Sequence, residues 1–111
     1  MEIGVRKVGH VTILDLDGPL RLGNSQQAFR DQVKSLVEQG VRAVAVNLGG
    51  VPALDSSGIG ALVHAYSSLQ RAGGKCRFFA AGKFVQQTLK MVRLDTVLEL
   101  VEDEATALAR F

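Results

Sequence analysis

The stretch Val51-Pro52-Ala53-Leu54-Asp55-Ser56-Ser57-Gly58-Ile59-Gly60 decides how this 111-residue chain is read. Just before it, Ala43-Val44-Ala45-Val46-Asn47-Leu48 is an apolar run of the kind found inside a sheet, buried on both faces. Just after it, Ile59, Leu62, Val63, Tyr66 and Leu69 recur at helical spacing, so a helix runs from Ile59 to Leu69. A strand therefore hands over to a helix through one acidic residue, two hydroxyls and two glycines. Backbone N–H groups at a helix start have no intrahelical partner and favour negative charge. A phosphoryl group added to Ser56 or Ser57 would fall in that field, which makes the turn a candidate covalent switch.

Capping alone explains part of this composition, because Asp is a preferred N-cap residue. The glycines ask for more. Gly58 and Gly60 fall in the first turns of the helix, where each costs about 1 kcal/mol relative to Ala. Two of them imply a close approach to the backbone, by a packed strand or by a partner. The turn also lies at the carboxyl end of a central strand, where open α/β sheets place their ligand sites.

Working outward, Ile3 to Val8 and Val11 to Leu16 read as two strands of a hairpin with Gly9-His10 as its turn. Asp17-Gly18-Pro19 breaks the second strand, and Leu20-Arg21-Leu22 is expected to be a short edge piece. Asn24 or Ser25 is placed to cap a helix whose buried stripe is Phe29, Val33, Leu36 and Val37 and which ends at Gly40. After the Ser-containing helix, Gly73-Gly74 stops the chain and Lys75 to Ala81 forms another strand. A helix over Lys83 to Val92 buries Val85, Leu89 and Val92. Val97 to Leu100 is expected to be a last short strand. Glu102-Asp103-Glu104 suits the dipole of a final helix, with Leu108 and Phe111 on its apolar face. The alternation implies one α/β domain over residues 1–111. Its mixed sheet would have four to six strands, its helices number about four, and they would lie on one face or one end of the sheet.

Composition narrows the functions. Hydrophobic residues make up 47% and charged residues 22%, enough for a packed core and against disorder. The net charge is +2, the bases are scattered, and there is one Tyr and no Trp, so no direct nucleic-acid partner is expected. The lone Cys76 excludes an internal disulfide and reads as a small buried hydrophobe in a reducing compartment. No signal-peptide pattern and no bilayer-length apolar run is present, so a cytoplasmic protein without a membrane partner is expected. No Cys/His cluster has metal spacing, and Gly49-Gly50 and Gly58-x-Gly60 make neither a Walker loop nor a dinucleotide fingerprint. No metal or cofactor is therefore expected. A serine hydrolase is disfavoured, because His64 lies seven residues, about 10 Å of helix rise, beyond Ser57. His64 is expected at the surface.

With these elements in order, the chain resembles the STAS domain of anti-sigma factor antagonists. The resemblance rests on Val41 to Leu48 and on Asp55-Ser56-Ser57-Gly58-Ile59-Gly60. It extends over the opening hairpin, the helix after Gly18, the Gly73-Gly74 turn and the Asp95-to-Glu104 segment. It implies a non-enzymatic partner-switching phosphoprotein of transcription regulation. A serine in the turn is phosphorylated by an anti-sigma factor that is also a serine kinase. The unmodified protein binds that kinase, and a serine phosphatase resets the switch. Ser57 is the first choice of acceptor and Ser56 the second. Asp55 would orient the hydroxyl, and Gly58, Ile59 and Gly60 would meet the partner. One departure stands out. Family members commonly carry an acidic Gly-Glu-Leu/Ile-Asp stretch after the second strand, whereas here it reads Gly18-Pro19-Leu20-Arg21. A base replaces the acids, and Arg21 becomes a candidate for partner binding or for pairing with a phosphate. The alternative from another class is a STAS interaction module that scaffolds a signalling or transport complex and is never phosphorylated.

Overall fold

Two strands alternate so that both of their faces are apolar, and this sets the architecture. In β3 (Ala43–Gly50), Val44, Val46 and Leu48 point to one side of the sheet, while Ala43 and Ala45 point to the other. In β2 (Val11–Asp17), Leu14 and Leu16 share the first side, and Val11 and Ile13 the second. A strand buried on both faces needs cover on both. The computed structural model, which describes residues 1–111, shows what supplies it. The first side is covered by α1 (Asn24–Glu38), α2 (Ser56–Arg71) and α3 (Lys83–Met91). The second carries only the short α4 (Glu104–Leu108), whose Ala107 packs on Val11, Ile13, Ala45 and Phe79. The helices thus lie on two faces, not on one face or one end. A five-residue helix carries too little apolar periodicity to reveal its side.

The sheet runs in chain order, β1 (Glu2–Val8), β2, β3, β4 (Lys75–Phe79) and β5 (Leu100–Val101). The β1–β2 hairpin is antiparallel and the other pairings are parallel, so the expected mixed sheet of five strands and four helices is present. β3 occupies its centre, and the turn that follows β3 emerges at the carboxyl end of the parallel strands.

Several local expectations are corrected. Asn24 and Ser25 are the first two residues of α1 rather than its cap. The N-cap is Gly23, and the Ser25 hydroxyl instead accepts from the Arg21 N–H at 2.8 Å. Leu20 is no edge piece: it makes an isolated parallel bridge to Leu54 and is fully buried. β4 stops at Phe79 because Ala80 adopts a left-handed backbone, φ 62°. Val92 lies past the end of α3 and is half exposed. The last strand is Leu100–Val101 rather than Val97 to Leu100. Leu98 is the buried member of that segment, and Glu99 turns at φ 53°. Cys76 is buried and burial pushes its thiol up to about 12, as befits an inert core residue.

Candidate functional site

The start of α2 is built by a clamp between two segments distant in sequence. Leu20 donates its N–H to the Ala53 carbonyl at 3.0 Å, and its own carbonyl accepts from the Asp55 N–H at 3.3 Å. Asp55 then closes the structure with its side chain. Oδ1 accepts from the Gly58 N–H at 2.9 Å, which is the helix cap, and Oδ2 accepts from the Leu22 N–H at 3.0 Å. These backbone donors, Leu22 first and Gly58 next, hold the carboxyl below its ordinary value of 3.8. Both oxygens of Asp55 are thereby engaged with main chain, so the residue shapes the turn.

Gly58 explains why this clamp can close. A Cβ built there would stand 2.2 Å from the Leu20 carbonyl oxygen, inside any allowed contact. The close approach inferred from its helix position is real, but the approaching backbone is the chain's own. Gly58 is buried, and its contact lies within the fold. Gly60 is less constrained. A Cβ there would meet only the tip of Arg30, with Nη2 3.3 Å away.

The serines remain free. Ser56 is exposed and Ser57 half-buried, and neither hydroxyl takes part in a side-chain hydrogen bond. Ile59 is half-buried against the main core. The buried face of α2 is Gly58, Ala61, Leu62, Ala65 and Leu69; of the expected stripe Leu62 and Leu69 are fully buried, while Ile59, Val63 and Tyr66 are only half-buried, so the helix is turned toward its small residues. The cause is the small residues, which let α2 lie close to the sheet where large ones would not.

Arg21 sits on the strap between Leu20 and Leu22, both tied to the turn, and is exposed. Its side chain makes no ion pair. Sequence reasoning missed two neighbours. Leu22 is 75% exposed beside Asp55, an apolar side chain offered to solvent at the mouth of the turn. Arg30 reaches from α1 across to Gly60, a contact between segments with no local signal in either.

His64 is directed to Ser68 and bonds neither Ser56 nor Ser57. His64 is half-buried rather than a free surface residue. Its Nε2 lies 3.4 Å from the Ser68 hydroxyl, its Nδ1 is enclosed without a partner, and burial with Arg30 and Arg71 nearby lowers its pKa below 6.5. At the end of β3, Asn47 bridges Asp15 and the Gly49 N–H, each at 2.9 Å, and so secures the strand that delivers the turn.

The same fold recurs in known proteins. The proposed anti-sigma factor antagonist TM1081 of Thermotoga maritima is 21% identical, with a TM-score of 0.90 over 97% of this chain and 92% of that one. The Bacillus cell fate determinant SpoIIAA, in its phosphorylated form, is 17% identical with a TM-score of 0.76 over 98% of each chain. The murine anion transporter Slc26a9 is 18% identical with a TM-score of 0.76, over 94% of this chain but 18% of the transporter. A family match to the STAS domain spans residues 2–107. With its mixed five-stranded sheet and its Ser-bearing turn after the central strand, the chain belongs to the STAS domain family.

Proposed function

We propose that the chain is an anti-sigma factor antagonist that works by partner switching in the cytoplasm. Unmodified, it binds an anti-sigma factor that is also a serine kinase. Phosphorylated on Ser57, with Ser56 the second choice, it releases that partner, and a serine phosphatase restores it. The observation that carries this reading is the division of labour at the start of α2. Asp55 spends its acceptors on Leu22 and Gly58, while the two adjacent hydroxyls stay unbonded at the protein surface. In the transfer, the serine oxygen bonds to the terminal phosphorus of the kinase's nucleoside triphosphate. The bridging P–O bond breaks, the diphosphate leaves, and the hydroxyl proton passes to a base on the kinase. Nearly whole-chain likeness to SpoIIAA, an anti-sigma factor antagonist known in both unphosphorylated and phosphorylated forms, supports the assignment.

Charge explains the release. A phosphoserine carries about −1.5 to −2 charges at neutral pH. The helix start accommodates it, but a partner surface must desolvate it beside Asp55. Arg21, exposed Leu22 and half-buried Ile59 and Gly60 form the remaining docking surface around the turn. Affinity capture from the source cells tests this. The native chain and Ser57→Ala should retain a serine kinase, and Ser57→Asp should lose it. Equal retention by all three contradicts the switch.

A second reading has its own support in the Slc26a9 likeness, where a fold of this kind is part of a transporter. There the same surface holds a complex constitutively, and the three baits would capture the same partner.

A further inference from the structure

Ser57, Gly60, His64, Ser68 and Arg71 follow one another at intervals of three, four, four and three residues along α2. At about 100° per residue they share one stripe of the helix, with Ser57 inside its arc. Ser56 falls about 80° from the centre of that stripe, outside its arc and about 40° beyond Gly60. The stripe is real in three dimensions, since the Ser68 hydroxyl meets His64 Nε2. It is also the side on which α1 lies, because Arg30 of α1 has Nη2 against Gly60 and its charge acts on His64.

Arg30 is held but not satisfied. Its Nε donates to the Gln26 side chain at 2.7 Å, one turn back on α1, which fixes the guanidinium plane. Its Nη groups enter no hydrogen bond and no ion pair. Side chains on a helix lean toward its N-terminus, so the space over the missing Gly60 Cβ lies above the turn that contains Ser57. The glycine leaves room for the Arg30 tip there.

We propose that Arg30 is the intramolecular receptor for a phosphoryl group on Ser57, its two Nη groups donating to phosphate oxygens across the α1–α2 seam. An arginine fork matches two phosphate oxygens at once, and such charge-assisted bonds are the strong ones. The pairing favours Ser57, half-buried within the arc, over the exposed Ser56 beyond its edge, and it gives Gly60 a role within the chain besides its place in the docking surface. It also lays the phosphate along the helix seam in one orientation, so that partner and phosphatase meet a fixed group. This inference rests on the phosphorylation proposed above.

The test installs phosphoserine during synthesis of the full chain, at Ser57 or at Ser56, so no kinase is needed. The second ionisation of the phosphate, ordinarily near pH 6, is followed by phosphorus NMR. With Ser57 modified, the expected midpoint lies about half a unit or more below that of free phosphoserine, because a nearby cation favours the dianion. Arg30→Gln should remove that Arg30-dependent part, Arg30→Lys should keep part of it, and Arg21→Gln should leave it in place. Gly60→Ala, which pushes on the Arg30 tip without removing charge, should shrink it and serves if Arg30→Gln does not fold. A midpoint insensitive to Arg30, or one that responds to Arg21 alone, overturns the proposal. So does an equal or larger Arg30 effect with Ser56 modified. Failure here leaves phosphorylation in cells untouched, and absence of phosphate in cells would leave this pairing measurable.

Discussion

At Gly58 a single methyl group separates a closed clamp from an open one. The carbonyl of Leu20 lies where a Cβ would stand, 2.2 Å away, and its carbon is only 3.0 Å away. Both are backbone atoms that cannot rotate aside. Gly58→Ala should destabilise the fold by about 1–3 kcal/mol, as overpacking does, with the urea midpoint as the readout. Gly60→Ala should act in the opposite direction. There the only obstacle is the flexible tip of Arg30, and the helix gains up to about 1 kcal/mol from losing a glycine. Both glycines were legible as sites of close approach. What approached them was not, because Leu20 and Arg30 come from segments some thirty residues or more away and neither carries a local mark. Asp55 was legible as a cap by its type and position. Its second bond, to Leu22, was hidden for the same reason. Asp55→Ala should lower the melting temperature and speed amide exchange at Leu22 and Gly58 together, whereas Asp55→Asn should spare one of the two.

At the scale of elements, an exposed ion-pair cluster adds to the apolar packing that holds α4 to the sheet. Arg6 of β1 donates to Asp15 of β2 at 2.7 Å through Nε and also pairs with Glu104 in the first turn of α4. The guanidinium draws both carboxyls below their ordinary values of 3.8 and 4.5, with the Arg6 bond the main cause in each, and both acids raise the pKa of Arg6 in return. A depressed carboxyl pKa contributes stability that is fully present above the unfolded value and is lost as pH falls through the folded one. The clamp should therefore hold from neutral pH down to about 4.5 and weaken below it. Arg6→Gln should lower the melting temperature at pH 7, and the gap from the native chain should narrow as pH falls below about 4.5. The gap should be modest and shrink in high salt, since all three groups are partly exposed. The elements that the sequence placed well are those with long apolar periods: β2, β3, α1 and α2. It misplaced the cap of α1 because Arg21 captures the Ser25 hydroxyl, and it misplaced the last strand because Leu98 alone is buried there. Too few residues specify α4 and β5 for a pattern to register.

Over the whole molecule, the sheet delivers a Ser-bearing helix start to one end, and the clamp of Leu20, Leu22 and Asp55 fixes it there. Phosphorylation at this helix start is expected to leave the fold unchanged and to alter the docking surface, chiefly in its charge. Once the kinase is captured, Ser57→Asp should weaken its binding by about a hundredfold, a difference of about 2.7 kcal/mol, while leaving the melting temperature close to that of the native chain. Calorimetric titration and thermal melts read the two effects separately. The most direct measurement is peptide mass spectrometry across Val51 to Arg71 on the protein taken from its own cells. Phosphate is expected on Ser57 in part of the population, with the fraction changing between growth states. A peptide that is unmodified in every state would contradict the switch and would leave a constitutive interaction module in its place.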